Sequence, residues 1–288
     1  MSISLSYSTG SSPTPGSLPD RGSGSRGADV QRRIMSRSID LIADLGEGFG
    51  AWTMTEDDAL TRIVTSANVA CGFHAGDPST IRETVALCVD RGVAVGAHPS
   101  FPDLRGFGRR PLELPPSDLE ADVLYQLGAL EAFLRPYGQR LHHVTPHGSL
   151  GNMTAVREDY ARAVARAVRT FDPNLTVAFQ ESWMTRAAED EGLPVARIGF
   201  ADRGYNDDGT LVARTSPGAL VTDAEEVATR AVRMAVEGVV TSVSGTTLPL
   251  PCDSILVHGD SPAAVAMAAT VRRRLEAAGV TVAAWPGR

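Results

Sequence analysis

Short apolar segments that stop at Gly, His, Asp or Pro recur along this chain, each followed by an amphipathic helical stretch. "IDLIAD", "VTSANVACG", "VAVGAHP", "RLHHVTPHG", "LTVAF", "PVARIGFADR" and "SILVHGD" have the length and composition of buried strands. Between them, "DPSTIRETVALCVDRG" reads as a helix with Asp77 at the N-cap, Pro78 in the first turn and Gly92 past the end. Ser117 and Glu120 are spaced as a capping box for the next helix, and "DYARAVARAVRTF" is strongly periodic. Further helices are expected near 181–191, 222–237 and 261–278. This alternation, with no break in composition, predicts one α/β domain over residues 38–288, a parallel β/α barrel or barrel-like sheet. In such folds active sites gather where strands end, and the polar residues of this chain collect there.

Residues 1–37 are Ser, Gly, Pro and Arg with little apolar periodicity, and are expected to form a disordered tail. They lack the apolar core of a secretory signal; an acid-poor transit peptide is the alternative, and Met35 offers a second start. Net charge of −7 argues against nucleic acid or an anionic membrane as partner. No apolar run approaches the roughly 20 residues of a membrane helix. Three scattered cysteines make neither a disulfide framework nor a zinc pattern, so a cytoplasmic location is expected. All 27 basic side chains are arginine. The absence of lysine excludes a Walker A loop, a Schiff base and a lysine base, leaving proton transfer to carboxylates, histidine, cysteine, tyrosine or water.

Strand parity in "IDLIADLGEG" puts Asp40, Ile42 and Asp44 on one face, with Glu47 following. Two carboxylates inside a barrel are costly unless paired or protonated, which makes both candidates for acid–base work. Asn68 and His74 flank the second strand exit, where Asp77 doubles as a helix cap and Cys71 reads as a small buried hydrophobe. His98 ends the third strand, and the Gly-rich loop after it carries Arg109 and Arg110. Those arginines either hold a carboxylate or phosphate, or are solvated. His143, Thr145 and His147 share the parity of the fourth strand, and His258 and Asp260 follow "SILV". His74, His98, His147 and His258, four of the six histidines, thus sit at strand exits. Neither H-x-x-E-H nor H-E-x-x-H occurs, so no metal ligands are assigned, although a divalent metal is compatible with these residue types. There is no G-x-S-x-G elbow.

Taken together, "IDLIADLGEGFGAW", "VTSANVACGFHAGDP", "GVAVGAHPSFPDLRGFGRR", "HVTPHGSLGN", "FADRGY", "DGTLVAR" and "ILVHGD" resemble the LamB/YcsF family, from about Ile39 to the C-terminal helix. The resemblance implies a single-domain seven-stranded β/α barrel of the glycoside hydrolase/deacetylase type. It implies the activity of the bacterial 5-oxoprolinase A subunit: opening of 5-oxoproline to glutamate, with ATP as co-substrate and no firmly bound cofactor, in a heteromeric complex with B and C subunits. On that reading Asp40, Asp44, His74, His98 and His147 are catalytic. Glu47, Asn68, Arg109, Arg110, Asn152, Asp202, Arg203 and His258 bind the small-molecule substrate.

Four positions depart from the pattern, which implies Asn, Lys, Tyr and Glu where this chain has Ile42, Thr145, Gly151 and Gly199. Ile42 should desolvate its two aspartates and raise the pKa of at least one. Gly151 and Gly199 should widen the pocket. A second reading is therefore a repurposed member doing ATP-independent acid–base chemistry, a ring closure or elimination on an amino-acid derivative in specialised metabolism. A third, a non-catalytic scaffold subunit, is disfavoured because the histidines and aspartates persist.

Overall fold

The computed structural model describes residues 38–259 and 263–286. The expected tail, Met35 and Asp260 lie outside the described residues. The strands are β1 (Ser38–Leu45), β2 (Ser66–Ala70), β3 (Ala94–His98), β4 (His143–Val144), β5 (Thr176–Phe179) and β6 (Val195–Phe200). They continue with β7 (Val239–Thr241), β8 (Thr247–Pro249), β9 (Ser254–Leu256) and β10 (Thr281–Val282). Seven of them close a parallel barrel in the order β1-β2-β3-β4-β5-β6-β9, with β9 pairing back onto β1. That is the seven-stranded barrel implied by the resemblance. β10 adds to the start of β1, and β7–β8 is an antiparallel hairpin outside the barrel; neither was expected.

The helices are α1 (Asp57–Leu60), α2 (Pro78–Asp90), α3 (Pro116–Leu134), α4 (Gly148–Val156), α5 (Glu158–Phe171), α6 (Trp183–Asp190), α7 (Ala224–Glu237) and α8 (Ala264–Ala277). Asp77 caps α2 by accepting from the Ser79 and Thr80 amides, as its sequence suggested. The capping box at Ser117 does not form. Proline suits a first helical position, so α3 starts at Pro116 and Ser117 falls inside the turn, with its hydroxyl on Asp118. α5 buries Tyr160, Ala161, Val164, Ala167 and Val168, the apolar stripe that makes it helical. β4 is shorter than expected, and a helix stands where the sequence suggests a loop. Pro146 has no amide to continue the ladder, and Gly148, at φ +52°, turns the chain into α4. No helix among the described residues is long and apolar enough to cross a membrane.

Parity along β1 holds, but depth separates its two aspartates. Asp44 pairs in register with Asn68 near the C-terminal end, whereas Asp40 pairs with Ser254 near the N-terminal end. Four residues of strand put them roughly 13 Å apart. Asp40 accepts from Thr65, Ser66 and Ser254 hydroxyls at 2.7, 2.7 and 2.5 Å, beside Cys252 and Trp285. Burial pushes its carboxyl from 3.8 up to about 6, against the opposing pull of those hydroxyls. This is the raised carboxyl expected from Ile42, at the wrong end of the barrel for the candidate site.

A carboxyl whose folded pKa is raised adds stability below its unfolded pKa and loses it as pH rises through the folded one. Asp40 should therefore make the protein less stable by roughly 2 kcal/mol between pH 4 and 7. Asp40→Asn should flatten that part of the pH–stability curve, read from denaturant midpoints. An unchanged slope would assign the proton elsewhere.

Candidate active site

The C-terminal ends of the strands converge on a cleft lined by Asp44, His98, Thr145, His147, Phe179 and Phe200. The free space in the cleft is about 50 Å³, on the order of a few waters. Asp44 Oδ1 accepts the Asn68 amide at 2.8 Å. Asn68 Oδ1 lies 2.9 Å from His143 Nε2, so the carbonyl end of the amide receives the imidazole N–H. His143 is buried across the barrel against Gly96, where a Cβ would stand 2.1 Å from Nε2. It holds Asp44 in place through Asn68. Its parity with His147 is legible in the sequence, but its bond to Asn68 is not.

Gly46, at φ +67°, turns the chain after β1 so that Glu47 comes back over the barrel. Glu47 Oε1 stands 3.3 Å from His74 Nε2 and 3.5 Å from His147 Nδ1. His98 Nε2 is 2.9 Å from His147 Nδ1 and 3.5 Å from Asp44 Oδ1. All five side chains are buried. Burial holds His74, His98 and His147 below the usual 6.5, so the three imidazoles are neutral near pH 7. No metal ligands could be assigned from sequence spacing, yet Glu47, His74, His98 and His147 each bring a ligand atom within 4.8 Å of the others. That group could hold a metal ion.

The rim is cationic. Arg109, Arg203, Arg214, Asn152 and His258 also line the cleft. His258 Nδ1 is 2.8 Å from Asp202; burial raises that carboxyl, but His258 and Arg214 more than offset it and hold it below its usual range. Arg203 is buried and donates to the Ala219 and Val212 carbonyls, tying down the loop it begins. Burial and the neighbouring Arg214 lower its pKa to about 10. Arg214 is not among the residues expected from sequence, although it ends the block "DGTLVAR", because nothing around it marks a strand exit.

Of the expected residues, Asp44, His98, His147, Arg109, Asn152, Arg203 and His258 line the cleft, and Glu47 joins His74 within bonding reach of them. Asn68 and Asp202 bond to Asp44 and His258. Two are elsewhere. Asp40 is at the other end of the barrel, and Arg110 pairs with buried Asp103, its own side chain 61% exposed. Arg110 braces the loop because Asp103 also takes the Gly106 amide there. The widening expected of Gly199 is corrected as well. Gly151 does line the cleft, although a Cβ there would meet Pro146 O at 2.7 Å and the Phe179 ring at 3.2 Å. Gly199 faces outward, toward Met234 and Cys252; Ile198 and Phe200 are the inward positions of β6. Thr145 turns its hydroxyl onto the Ala178 carbonyl, 3.0 Å away. Cys71 is buried, its thiol pushed up to about 12 by desolvation, as befits a packing residue.

A protein from Methylococcus capsulatus, named as the A subunit of 5-oxoprolinase, is 52% identical over 254 residues, covering 88% of this chain and 98% of that protein. One of the same name from Streptomyces avermitilis is 51% identical over 248 residues, covering 86% and 99%. The crystal structure of a lactam utilization protein from Thermus thermophilus superposes with a TM-score of 0.82 at 45% identity, covering 86% of this chain and all of that one. The LamB/YcsF family model matches residues 39–288, which takes in every strand of the barrel and every side chain of the cleft. With half its residues shared along nearly the whole length of such relatives, this chain belongs to the LamB/YcsF family.

Proposed function

We propose that this protein opens a small lactam, converting 5-oxoproline to glutamate as the A subunit of an ATP-dependent, cytoplasmic, heteromeric enzyme. The observation that carries the reading is the polarity of the cleft. Asp44 and neutral imidazoles lie at its floor, and Arg109, Arg203 and Arg214 lie at its rim. A cyclic amide bearing a carboxylate matches that arrangement at both ends, and relatives named for this activity share half the sequence. Ring opening adds water to the lactam carbonyl, breaks the C–N bond and delivers a proton to the leaving nitrogen. Asp44 is the base for the water and returns its proton to the nitrogen. With no lysine and no Walker loop on the chain, ATP is handled with the partner subunits.

The test is glutamate release from 5-oxoproline by the chain co-expressed with candidate B and C subunits, with and without ATP. ATP-dependent turnover by the complex, with the chain alone inert, is expected; a complete complex that binds ATP and leaves 5-oxoproline intact would sink the reading. Arg109→Ala should raise KM roughly 10–100-fold with a smaller change in kcat, the loss of one charged hydrogen bond to the substrate carboxylate. An unchanged KM would remove Arg109 from carboxylate binding. The ATP-independent reading gains nothing from Gly199, which faces away from the cleft.

A further inference from the structure

His98 and His147 are set with two bare lone pairs facing each other. His98 Nδ1 lies 2.6 Å from the Thr145 carbonyl and His147 Nε2 lies 2.9 Å from the Phe107 carbonyl. Carbonyl oxygens only accept, so each of those nitrogens carries the ring proton, and a neutral imidazole has one. The opposite nitrogens, His98 Nε2 and His147 Nδ1, are then unprotonated, and they are 2.9 Å apart. Two lone pairs at that distance repel unless a cation lies against both. Glu47 Oε1, 3.5 Å from His147 Nδ1, is directed at the same place.

We propose that His98 Nε2, His147 Nδ1 and the Glu47 carboxylate hold one divalent transition-metal ion, zinc by preference, with a remaining position open toward Asp44 and the cleft. Ligands about 2.0–2.1 Å from a tetrahedral ion are roughly 3.3–3.4 Å from one another. The separations of 2.9 and 3.5 Å bracket that edge. The two carbonyls are the outer partners that fix tautomer and ring orientation in metal-bound histidine. Phe107 takes φ +54°, unfavourable for a bulky residue, and so presents its carbonyl to His147.

His74 is outside the ligand set. Its ring stacks on His147 with centroids 3.8 Å apart and planes 5° from parallel. An ion in the plane of His147 would stand about 3.5 Å from the plane of His74, beyond a bond of about 2.1 Å. His74 instead donates Nε2–H to Glu47, leaving Nδ1 buried without a hydrogen-bond partner. When bound, an ion here supplies Lewis-acid polarisation and lowers the pKa of coordinated water. Ion binding by these three side chains does not depend on what the substrate is.

The experiment is metal binding by the full chain, stripped with chelator and titrated with Zn²⁺, and with Co²⁺ for its visible absorption. One equivalent per chain is expected, with a Co²⁺ spectrum of low-coordinate type. His98→Ala and His147→Gln should each weaken Zn²⁺ binding by more than about a hundredfold. His74→Gln keeps a donor for Glu47 and should cost less than about tenfold. Near-UV circular dichroism establishes that each variant is folded. Failure of the folded wild-type chain to take up either ion at micromolar concentration would overturn the proposal and leave a shared proton between the rings. Uptake indifferent to both ligand substitutions would overturn it too. Since binding is read without turnover, stoichiometric uptake beside an inactive lactam assay would count against the proposed function alone.

Discussion

Asp44→Asn should lower kcat for ring opening about a thousandfold, within the range of about 10²–10⁴ for a positioned acid–base group, with KM changed only a few-fold. Asparagine fills the same volume, so the fold is not at stake. What changes is the chemistry of one position. Asp44 accepts the Asn68 amide at 2.8 Å, a contact that only an oxygen can make. An amide there cannot take a proton from water, and one of its orientations sets NH₂ against the NH₂ of Asn68. Asn68 cannot turn over in response, because His143 holds its carbonyl end. Steady-state glutamate release by the assembled enzyme is the measurement; a kcat within a few-fold of wild type would remove Asp44 from proton transfer. Asp40→Asn is the matched control. The sequence alone suggests that both aspartates matter equally, but Asp40 is at the far end of the barrel, and its asparagine variant should turn over at a near-normal rate.

That contrast shows what period-two patterning can and cannot say. Parity along β1 correctly put Asp40, Ile42 and Asp44 on one face, yet a face runs the whole depth of the barrel, and depth decides which residue meets substrate. The same rule, applied to β6, would have settled Gly199 in advance. If Phe200 lines the cleft its neighbour cannot, and Ile198 is the inward position. The strand–helix alternation was readable because each strand is a short apolar run with its own helix. The meeting of His74, His98, His147 and Glu47 was not. Each comes from a different strand exit, so no short spacing records the group, and nothing in the chain's pattern signals that the Phe107 carbonyl fixes the tautomer of His147. The helix at Gly148 was hidden for another reason: Pro146 and a glycine at positive φ look like a loop until the close approach of Gly108 to Gly148 is seen.

That close approach makes Gly108 a sensitive backbone position beside the site. Gly108→Ala should destabilise the protein by roughly 2–5 kcal/mol, from the left-handed conformation and from overpacking together. It should also lower turnover by about two orders of magnitude. At φ +64° its added Cβ would stand 2.2 Å from Ser100 Oγ, 2.8 Å from His147 Cδ2 and 2.9 Å from His74 Cβ. The serine hydroxyl can rotate away. The His147 ring cannot, since Nε2 is tied to Phe107 and the ring is stacked on His74. The strain must therefore move the loop, drawing the Phe107 carbonyl off His147 and loosening the Gly108 carbonyl from the Ser149 amide, now 2.9 Å away. Gly50 separates the two causes. It has φ +58° with nothing within 4 Å of its Cβ, so Gly50→Ala should cost only the backbone share, about 1–2 kcal/mol, with turnover intact. Thermal unfolding and kinetics on the two variants side by side decide the matter: if Gly108→Ala behaves like Gly50→Ala, the loop does not press on the histidines.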